Sequence, residues 1–200
     1  MQPRVFFPVS LNLVGRTCVV IGDDREAIEK EASLREVGAD VVWIKAANTL
    51  RDEQLSDVFF VISTPQDAEL SARLRALADR HRFLLCCIDQ PKFGFVAMAA
   101  IVKAGPVRVA ISTAGLAPKV GKVLKMALQR VMDATFVQFI EELAAQREQI
   151  QREYPLPEQS PNRRKAMLTA AEGFGAEIRF RYPEWYQRLQ NVILRSKDDS

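Results

Sequence analysis

Residues 17–27, with the sequence TCVVIGDDREA, decide the fold of this chain. A short, largely β-branched run at 18–21 ends at Gly22 and passes into a helix-like stretch at 26–37. This order is typical of the first strand, turn and helix of a dinucleotide-binding domain. The segment therefore predicts an α/β domain whose first turn has the position of a phosphate-binding turn.

The turn departs from the dinucleotide fingerprint G-x-G-x-x-G/A at its centre. The first glycine is Gly22 and the closing residue is Ala27, but Asp24 stands where the central glycine lets the backbone approach the pyrophosphate. A carboxylate about 4 Å from a phosphate costs roughly 4 kcal/mol at an effective dielectric of about 20. The Asp24 side chain could point away from the phosphate, with its charge neutralised by Arg25. Alternatively, this part of the chain has lost the ability to bind the cofactor. The turn alone leaves nucleotide binding open.

Composition sets the broad class of the protein. The 200 residues are 48% hydrophobic and 26% charged, enough for one good core and a smaller appendage. A net charge of +3 is too small to indicate nucleic acid, and no apolar run is long enough for a signal peptide or a membrane span. Cys18, Cys86 and Cys87 lie in apolar runs and predict reduced core thiols, and the single His81 predicts no permanent metal site. We expect a cytoplasmic protein without nucleic-acid or membrane partners.

The first half of the chain alternates strands and helices. Apolar runs at 18–21, 41–44, 58–62 and 83–88 predict strands, and helical spacing predicts helices at 26–37 and 67–80. This alternation predicts a Rossmann-like parallel sheet covered by helices. Ligands of such sheets bind beyond the carboxyl ends of the strands, at residues 22–25, 45, 63–66 and 89–92 of this chain.

The second half changes character. Runs at 95–102 and 107–112, joined by a turn at 103–106 that contains Gly105 and Pro106, predict an antiparallel hairpin. A long helix is predicted at 119–152, shorter helices at 163–172 and 184–194, and an exposed tail at 197–200. We therefore divide the chain into residues 1–94, a dinucleotide-binding domain, 95–152, a hairpin and long helix, and 153–200, a small helical region.

Five segments, in order, resemble the precorrin-2 dehydrogenase family, the N-terminal module of siroheme synthases, over about residues 6–175. Residues 6–16 resemble the family's lead into its first strand, and residues 19–44 resemble its first strand, turn and helix. The sequences VIST at 61–64, LCCIDQP at 85–91 and VAISTAGLAP at 109–118 resemble its A-A-T, V-N-V-V-D-x-P and V-A-I-S-T-G-G-x-S-P motifs. The chain is thus identified as similar to this family by the order and spacing of all five segments.

The resemblance implies oxidation of precorrin-2 to sirohydrochlorin with NAD as hydride acceptor, in a homodimer where the hairpin and long helix complete the partner's site. Some members also insert ferrous iron. Asp89 matches the family's key acid and could act as the catalytic base. The implied cofactor-binding residues are Gly22, Asp23, Asp24, Arg25, Lys45 and Thr64. The implied substrate-binding residues are Ser112, Thr113, Ala114, Gly115 and Lys119, with Lys122 and Lys125 following Lys119.

Several of these residues have simpler interpretations. Ser112 and Thr113 could cap a helix or close a turn, Thr64 could be a turn residue, and Gly115 could serve backbone geometry alone. Lys45 could suit the 2′-phosphate of NADP, since no acid follows the second strand.

The sequence departs from the family's motifs at Asp23, Asp24, Cys86 and Ala114. These departures leave a second hypothesis open: a tetrapyrrole-binding homologue, acting as a carrier, chelatase or regulatory partner, that has lost dehydrogenase activity. An unrelated Rossmann-like domain is the third.

Overall fold

A four-stranded parallel sheet forms the centre of the N-terminal part of the computed structural model, which describes residues 6–190. Its strands are β1 (Thr17–Ile21), β2 (Asp40–Ile44), β3 (Phe60–Ser63) and β4 (Leu84–Cys87), in the order β2-β1-β3-β4. Every neighbouring pair is parallel. The predicted strands and their parallel arrangement are confirmed.

Two helices cover the sheet. The helix α1 (Arg25–Glu36) joins β1 to β2, and α2 (Ala68–His81) joins β3 to β4. Side chains alternate between the two faces of the strands, so each face has its own core. The core on one face includes Val19, Ile21, Val61, Leu74, Leu77 and Leu85, and the core on the other includes Cys18, Val20, Ala27, Leu34, Ile62 and Cys86. Two short 3₁₀ turns, Ala47–Thr49 and Asp52–Leu55, connect β2 to β3.

The predicted antiparallel hairpin is confirmed, but its first strand is shorter than predicted. The strands are β5 (Ala100–Ala104) and β6 (Val107–Ile111). Residues 95–99 are not part of β5, because the chain first folds back on β4: the N–H groups of Phe95 and Val96 both donate to the carbonyl of Leu85, at 2.8 and 3.0 Å.

Ion pairs hold the hairpin to α1. Lys103 of β5 and Arg108 of β6 both pair with Glu36, the last residue of α1, and the distance from Arg108 Nη2 to Glu36 Oε1 is 3.4 Å. Because the hairpin is attached at the end of α1, it is positioned relative to the sheet that carries the predicted site.

The single long helix predicted at 119–152 is wrong. The structure has α3 (Pro118–Val131) and α4 (Ala134–Glu153), separated at Met132 and Asp133. Met132 is buried in a cluster with Val102 and Ala104 of the hairpin. The Asp133 carboxylate accepts the N–H of Phe136 at 3.0 Å and so caps the new helix. Burial of Met132 and the cap at Asp133 together end one helix and begin the next.

The chain separates into two compact units, Met1–Val137 and Gln138–Ser200. The second unit contains most of α4, a 3₁₀ turn at Pro157–Gln159 and α5 (Ser160–Ala170), which begins three residues before the predicted start. Residues 184–190 are helical, whereas the rest of the predicted helix 184–194 and the tail 197–200 lie outside the described residues. The predicted three-region division stays a prediction. Within residues 6–190, no helix is long and apolar enough to cross a membrane.

Candidate functional site

A cavity of about 470 Å³ lies in the first unit beside the carboxyl end of β4. It brings together Asp89 and the turn between β6 and α3, which the sequence had placed in one site. Lys119 lies outside the lining, whereas Lys122 and Lys125, one and two turns further along α3, are part of it. The polar and small residues of the lining are Glu26, Cys86, Cys87, Asp89, Ala97, Ala100, Ser112, Thr113, Ala114, Gly115, Gly121, Lys122 and Lys125.

Asp89 is presented to this cavity by a left-handed backbone. Its φ is +58°, a region that aspartate tolerates better than most residues. The N–H of Ile88 still donates to the carbonyl of Ser63 at 2.9 Å, so the chain leaves the sheet only at Asp89. The side-chain amide of Gln66 donates to Asp89 Oδ2 at 3.3 Å. The carboxylate is therefore exposed at the cavity and held from the loop that follows β3.

The first turn is built around a bare glycine. Gly22 has a φ of +125°, and a Cβ there would lie 2.2 Å from Thr64 Oγ1. Thr64 is buried and donates to the carbonyl of Ile21 at 3.4 Å. Thr64 thus packs on Gly22 as a structural residue of the turn.

Trp43 was not singled out from the sequence, yet it contacts this turn. Its indole N–H donates to the carbonyl of Gly22 at 2.7 Å, and the Lys45 ammonium lies 4.5 Å from the centre of its ring. A tryptophan near the carboxyl end of a strand is a usable signal, because a half-buried indole N–H needs a hydrogen-bond acceptor. Lys45 is therefore beside the turn, with its charge over an aromatic face.

Asp24 caps the helix α1. Its carboxylate oxygen Oδ1 accepts the N–H of Ala27 at 2.7 Å. Asp23 is exposed. The expectation that Arg25 could neutralise Asp24 is wrong, because Arg25 pairs with Glu29 at 2.9 Å, one helical turn ahead.

The turn between β6 and α3 contains two consecutive left-handed residues, Ala114 and Gly115, with φ of +50° and +77°. Ser112 Oγ accepts the N–H of Ala114 at 3.3 Å, which agrees with the turn interpretation. The capping interpretation of Ser112 and Thr113 is wrong, since α3 begins after Ala117 without a side-chain cap. The turn therefore presents its backbone and two hydroxyl groups at the cavity.

We expect Ala114→Gly to stabilise the protein by about 0.5–1 kcal/mol. Alanine in the left-handed region costs about 1–2 kcal/mol, and glycine removes this cost. Glycine also gives the unfolded chain more freedom, which offsets about 0.4–1 kcal/mol of the gain. The neighbouring variant Gly115→Ala is the matched control and should lose about 1 kcal/mol, because a Cβ there meets no atom within 4 Å and adds strain alone. Urea unfolding measures both changes. A loss of stability in Ala114→Gly would contradict the assigned backbone.

The three cysteines are buried and free, as predicted. Burial raises the pKa of the Cys86 thiol to about 12, and it also raises the pKa values of Cys18 and Cys87. Cys86 is therefore neutral at physiological pH and contributes a compact apolar group to the cavity wall. In the described part of the chain, no group of three or more His, Cys, Asp or Glu side chains is placed to hold a metal ion.

Comparison with known proteins agrees with this architecture. Residues 9–100 match a family described as "Putative NAD(P)-binding". The siroheme synthase of Nitrosospira multiformis is 26% identical over 197 residues, which cover 88% of this chain and 41% of that protein. Siroheme synthase 1 of Pectobacterium atrosepticum is 30% identical over 149 residues, 65% of this chain and 31% of that protein. The chain thus spans less than half the length of these relatives.

The fold also occurs in a solved structure. The protein "SirC, precorrin-2 dehydrogenase" superposes with a TM-score of 0.65 at 20% identity and covers 84% of this chain and 90% of its own. The parallel sheet, the bare Gly22 turn and the matched residues 9–100 define a Rossmann-like NAD(P)-binding domain followed by a β-hairpin. In sequence the chain is similar to siroheme synthases, and in fold it is similar to a precorrin-2 dehydrogenase.

The turn after β1 accommodates the cofactor that this family implies. This turn, packed on Thr64 at Gly22, leads directly into the N-terminus of α1, where backbone N–H groups and the helix dipole favour a diphosphate. Gly22, Lys45 and the N–H groups of Arg25, Glu26 and Ala27 are the groups that would hold it, and the N–H of Ala27 is the one that Asp24 occupies. Asp24 is the unfavourable group at this position.

Proposed function

We propose that this chain oxidises precorrin-2 to sirohydrochlorin with NAD as the hydride acceptor. The observation that carries the proposal is the cavity that joins Asp89, at the carboxyl end of β4, to the turn before α3 and to two lysines of α3. Ligands of parallel α/β sheets bind at this end of the strands. Glu26 of α1 also lines the cavity, so the cavity borders the helix that follows the cofactor turn.

Two groups of residues take part in the proposed reaction: Asp89 removes a proton, and the turn before α3 with the α3 lysines binds the substrate. Oxidation of a carbon–carbon or carbon–nitrogen single bond removes a hydride and a proton, and NAD, when bound, takes the hydride. The Asp89 carboxylate takes the proton, for which its exposure at the cavity and its hydrogen bond from Gln66 prepare it. The turn at residues 112–115 and the α3 lysines hold the substrate against this carboxylate.

Lys122 and Lys125 are the proposed partners of the substrate's acetate and propionate groups, in place of Lys119. They are three residues apart on α3 and therefore share a face. We expect Lys122→Ala and Lys125→Ala each to raise the KM for precorrin-2 by about 10- to 100-fold, because a hydrogen bond to a charged group contributes about 1.5–3 kcal/mol. Lys119→Ala is the matched control on the same helix. Equal KM values for all three variants would contradict this assignment.

We propose NAD as the cofactor, in preference to NADP. Lys45, the candidate for a 2′-phosphate, is held over the Trp43 ring. Titration of the protein with NAD and NADP in parallel by calorimetry tests this choice. Tighter binding of NADP would overturn it.

We also propose a cytoplasmic homodimer. The exposed face of α3 carries Val120, Val123, Met126 and Val131, each at least half exposed. Apolar side chains in that number on one helix mark an interaction surface. Sedimentation of the full chain as a monomer at micromolar concentration would contradict the dimer.

Turnover of precorrin-2 by the purified chain is the direct test of the proposed function. Sirohydrochlorin should accumulate only when NAD is present. Binding of the tetrapyrrole without turnover would favour the alternative of a carrier, chelatase or regulatory partner, whose motivating observation is Asp24 at the N-terminus of α1. Incubating the protein with sirohydrochlorin and ferrous iron would show whether this chain also forms siroheme.

A further inference from the structure

We propose that Asp24 is an internal competitor of the cofactor: its carboxylate occupies a helix N–H that a diphosphate would use, and cofactor binding displaces it. The inference rests on the proposed cofactor site and deepens it. It assigns to Asp24 the control of cofactor affinity.

The geometry of the cap shows what the carboxylate replaces. Asp24 is extended, with φ of −76° and ψ of 174°, and its side chain turns back onto the first turn of α1, where Oδ1 accepts the N–H of Ala27 at 2.7 Å. The N-terminal N–H groups of a helix and its dipole stabilise an anion. In this chain a covalently attached anion is already there, and it loses no translational freedom on binding.

The charges around the turn leave Asp24 without a competing cation on α1. The three basic residues of this helix each pair with a glutamate of the same helix, in the pairs Arg25–Glu29, Lys30–Glu26 and Arg35–Glu31. The Asp24 carboxylate is therefore stabilised at the helix terminus and has no ion-pair partner on α1 that would draw it away. A diphosphate arriving at the same terminus meets like charge until the side chain rotates.

Two states of the turn follow from this arrangement. In the free protein the carboxylate caps α1, and in the loaded protein the side chain points to solvent while the diphosphate takes its place at the helix terminus. A ligand binds more weakly when the competent state is a minor one, by the factor of that state's population. Asp24 thus sets a lower affinity for the cofactor than a glycine at this position would.

Calorimetric titration of NAD into wild type, Asp24→Asn and Asp24→Gly tests the competition. Asparagine keeps the capping oxygen without the charge, and glycine removes both. We expect the Kd to fall at least about tenfold in Asp24→Gly, equivalent to about 1.4 kcal/mol, with Asp24→Asn between that variant and wild type. The matched control is Asp67→Asn, since Asp67 caps α2 in the same way, by accepting the N–H groups of Glu69 and Leu70.

Thermal unfolding supplies a second readout that does not depend on turnover. Without NAD, Asp24→Gly should unfold at a slightly lower temperature than wild type, because a capping bond is lost. With saturating NAD the order should reverse. Equal or weaker NAD binding by Asp24→Gly would overturn the inference even if wild type oxidises precorrin-2. Tighter binding by Asp24→Gly, together with a wild type that does not turn over precorrin-2, would overturn only the proposed function.

Discussion

Replacing Asp89 by asparagine is expected to lower the rate of precorrin-2 oxidation by about 10²- to 10⁴-fold, the usual contribution of a positioned acid or base. Asparagine has nearly the same size and cannot take a proton. It also tolerates the left-handed backbone that Asp89 adopts, so the fold should not change. The loss should therefore be seen in kcat, with little change in the KM for precorrin-2.

The control for Asp89→Asn is Asp79→Asn. Asp79 is an exposed residue of α2 that pairs with Arg75 at 3.0 Å, and it does not line the cavity. Its replacement should leave kcat and KM near the wild-type values. Turnover by Asp89→Asn at the wild-type rate would remove Asp89 from the mechanism, and the proton would then go directly to solvent.

Gly22→Ala is expected to destabilise the protein by about 3 kcal/mol or more. The new Cβ would lie 2.2 Å from Thr64 Oγ1, and an overpacked core position costs about 1–3 kcal/mol. The φ of +125° adds strain of about 1–3 kcal/mol for a residue with a side chain. The same change would move the turn away from its position at α1, so NAD binding should be lost as well.

Urea unfolding and NAD calorimetry measure the two consequences of Gly22→Ala. Gly115→Ala is again the matched control, because it introduces a Cβ at positive φ without a close contact and should lose only about 1 kcal/mol. A variant Gly22→Ala as stable as Gly115→Ala would show that Thr64 moves aside, and the turn would then be less rigid than the structure indicates.

The parallel sheet could be predicted because its strands are buried on both faces. Such strands read as continuous apolar runs between helical segments, and Cys18, Val19, Val20 and Ile21 are all buried. The place of Asp89 follows from the same reasoning, since ligands bind where parallel strands end. The sheet and the place of Asp89 can both be predicted because they depend on the order of elements along the chain and on the ligand-binding edge that parallel α/β sheets share.

The features that could not be predicted depend on contacts between distant segments. The apolar periodicity continues through Met132, and α3 ends there because Met132 is buried in a cluster with the hairpin residues Val102 and Ala104 and because Asp133 caps the next helix. The lining by Lys122 and Lys125 instead of Lys119 depends on the rotation of α3 relative to the cavity, which sequence spacing does not determine. The hydrogen bond from Gln66 to Asp89 joins two loops 23 residues apart.

The most direct test of the central claim is the stoichiometry of product and reduced cofactor. Purified full-length protein is incubated with precorrin-2 and NAD without oxygen, and sirohydrochlorin and NADH are measured together. The account predicts equal amounts of both with wild type, and neither at a comparable rate with Asp89→Asn. Sirohydrochlorin formed without NADH, or tetrapyrrole bound without any oxidation, would contradict it.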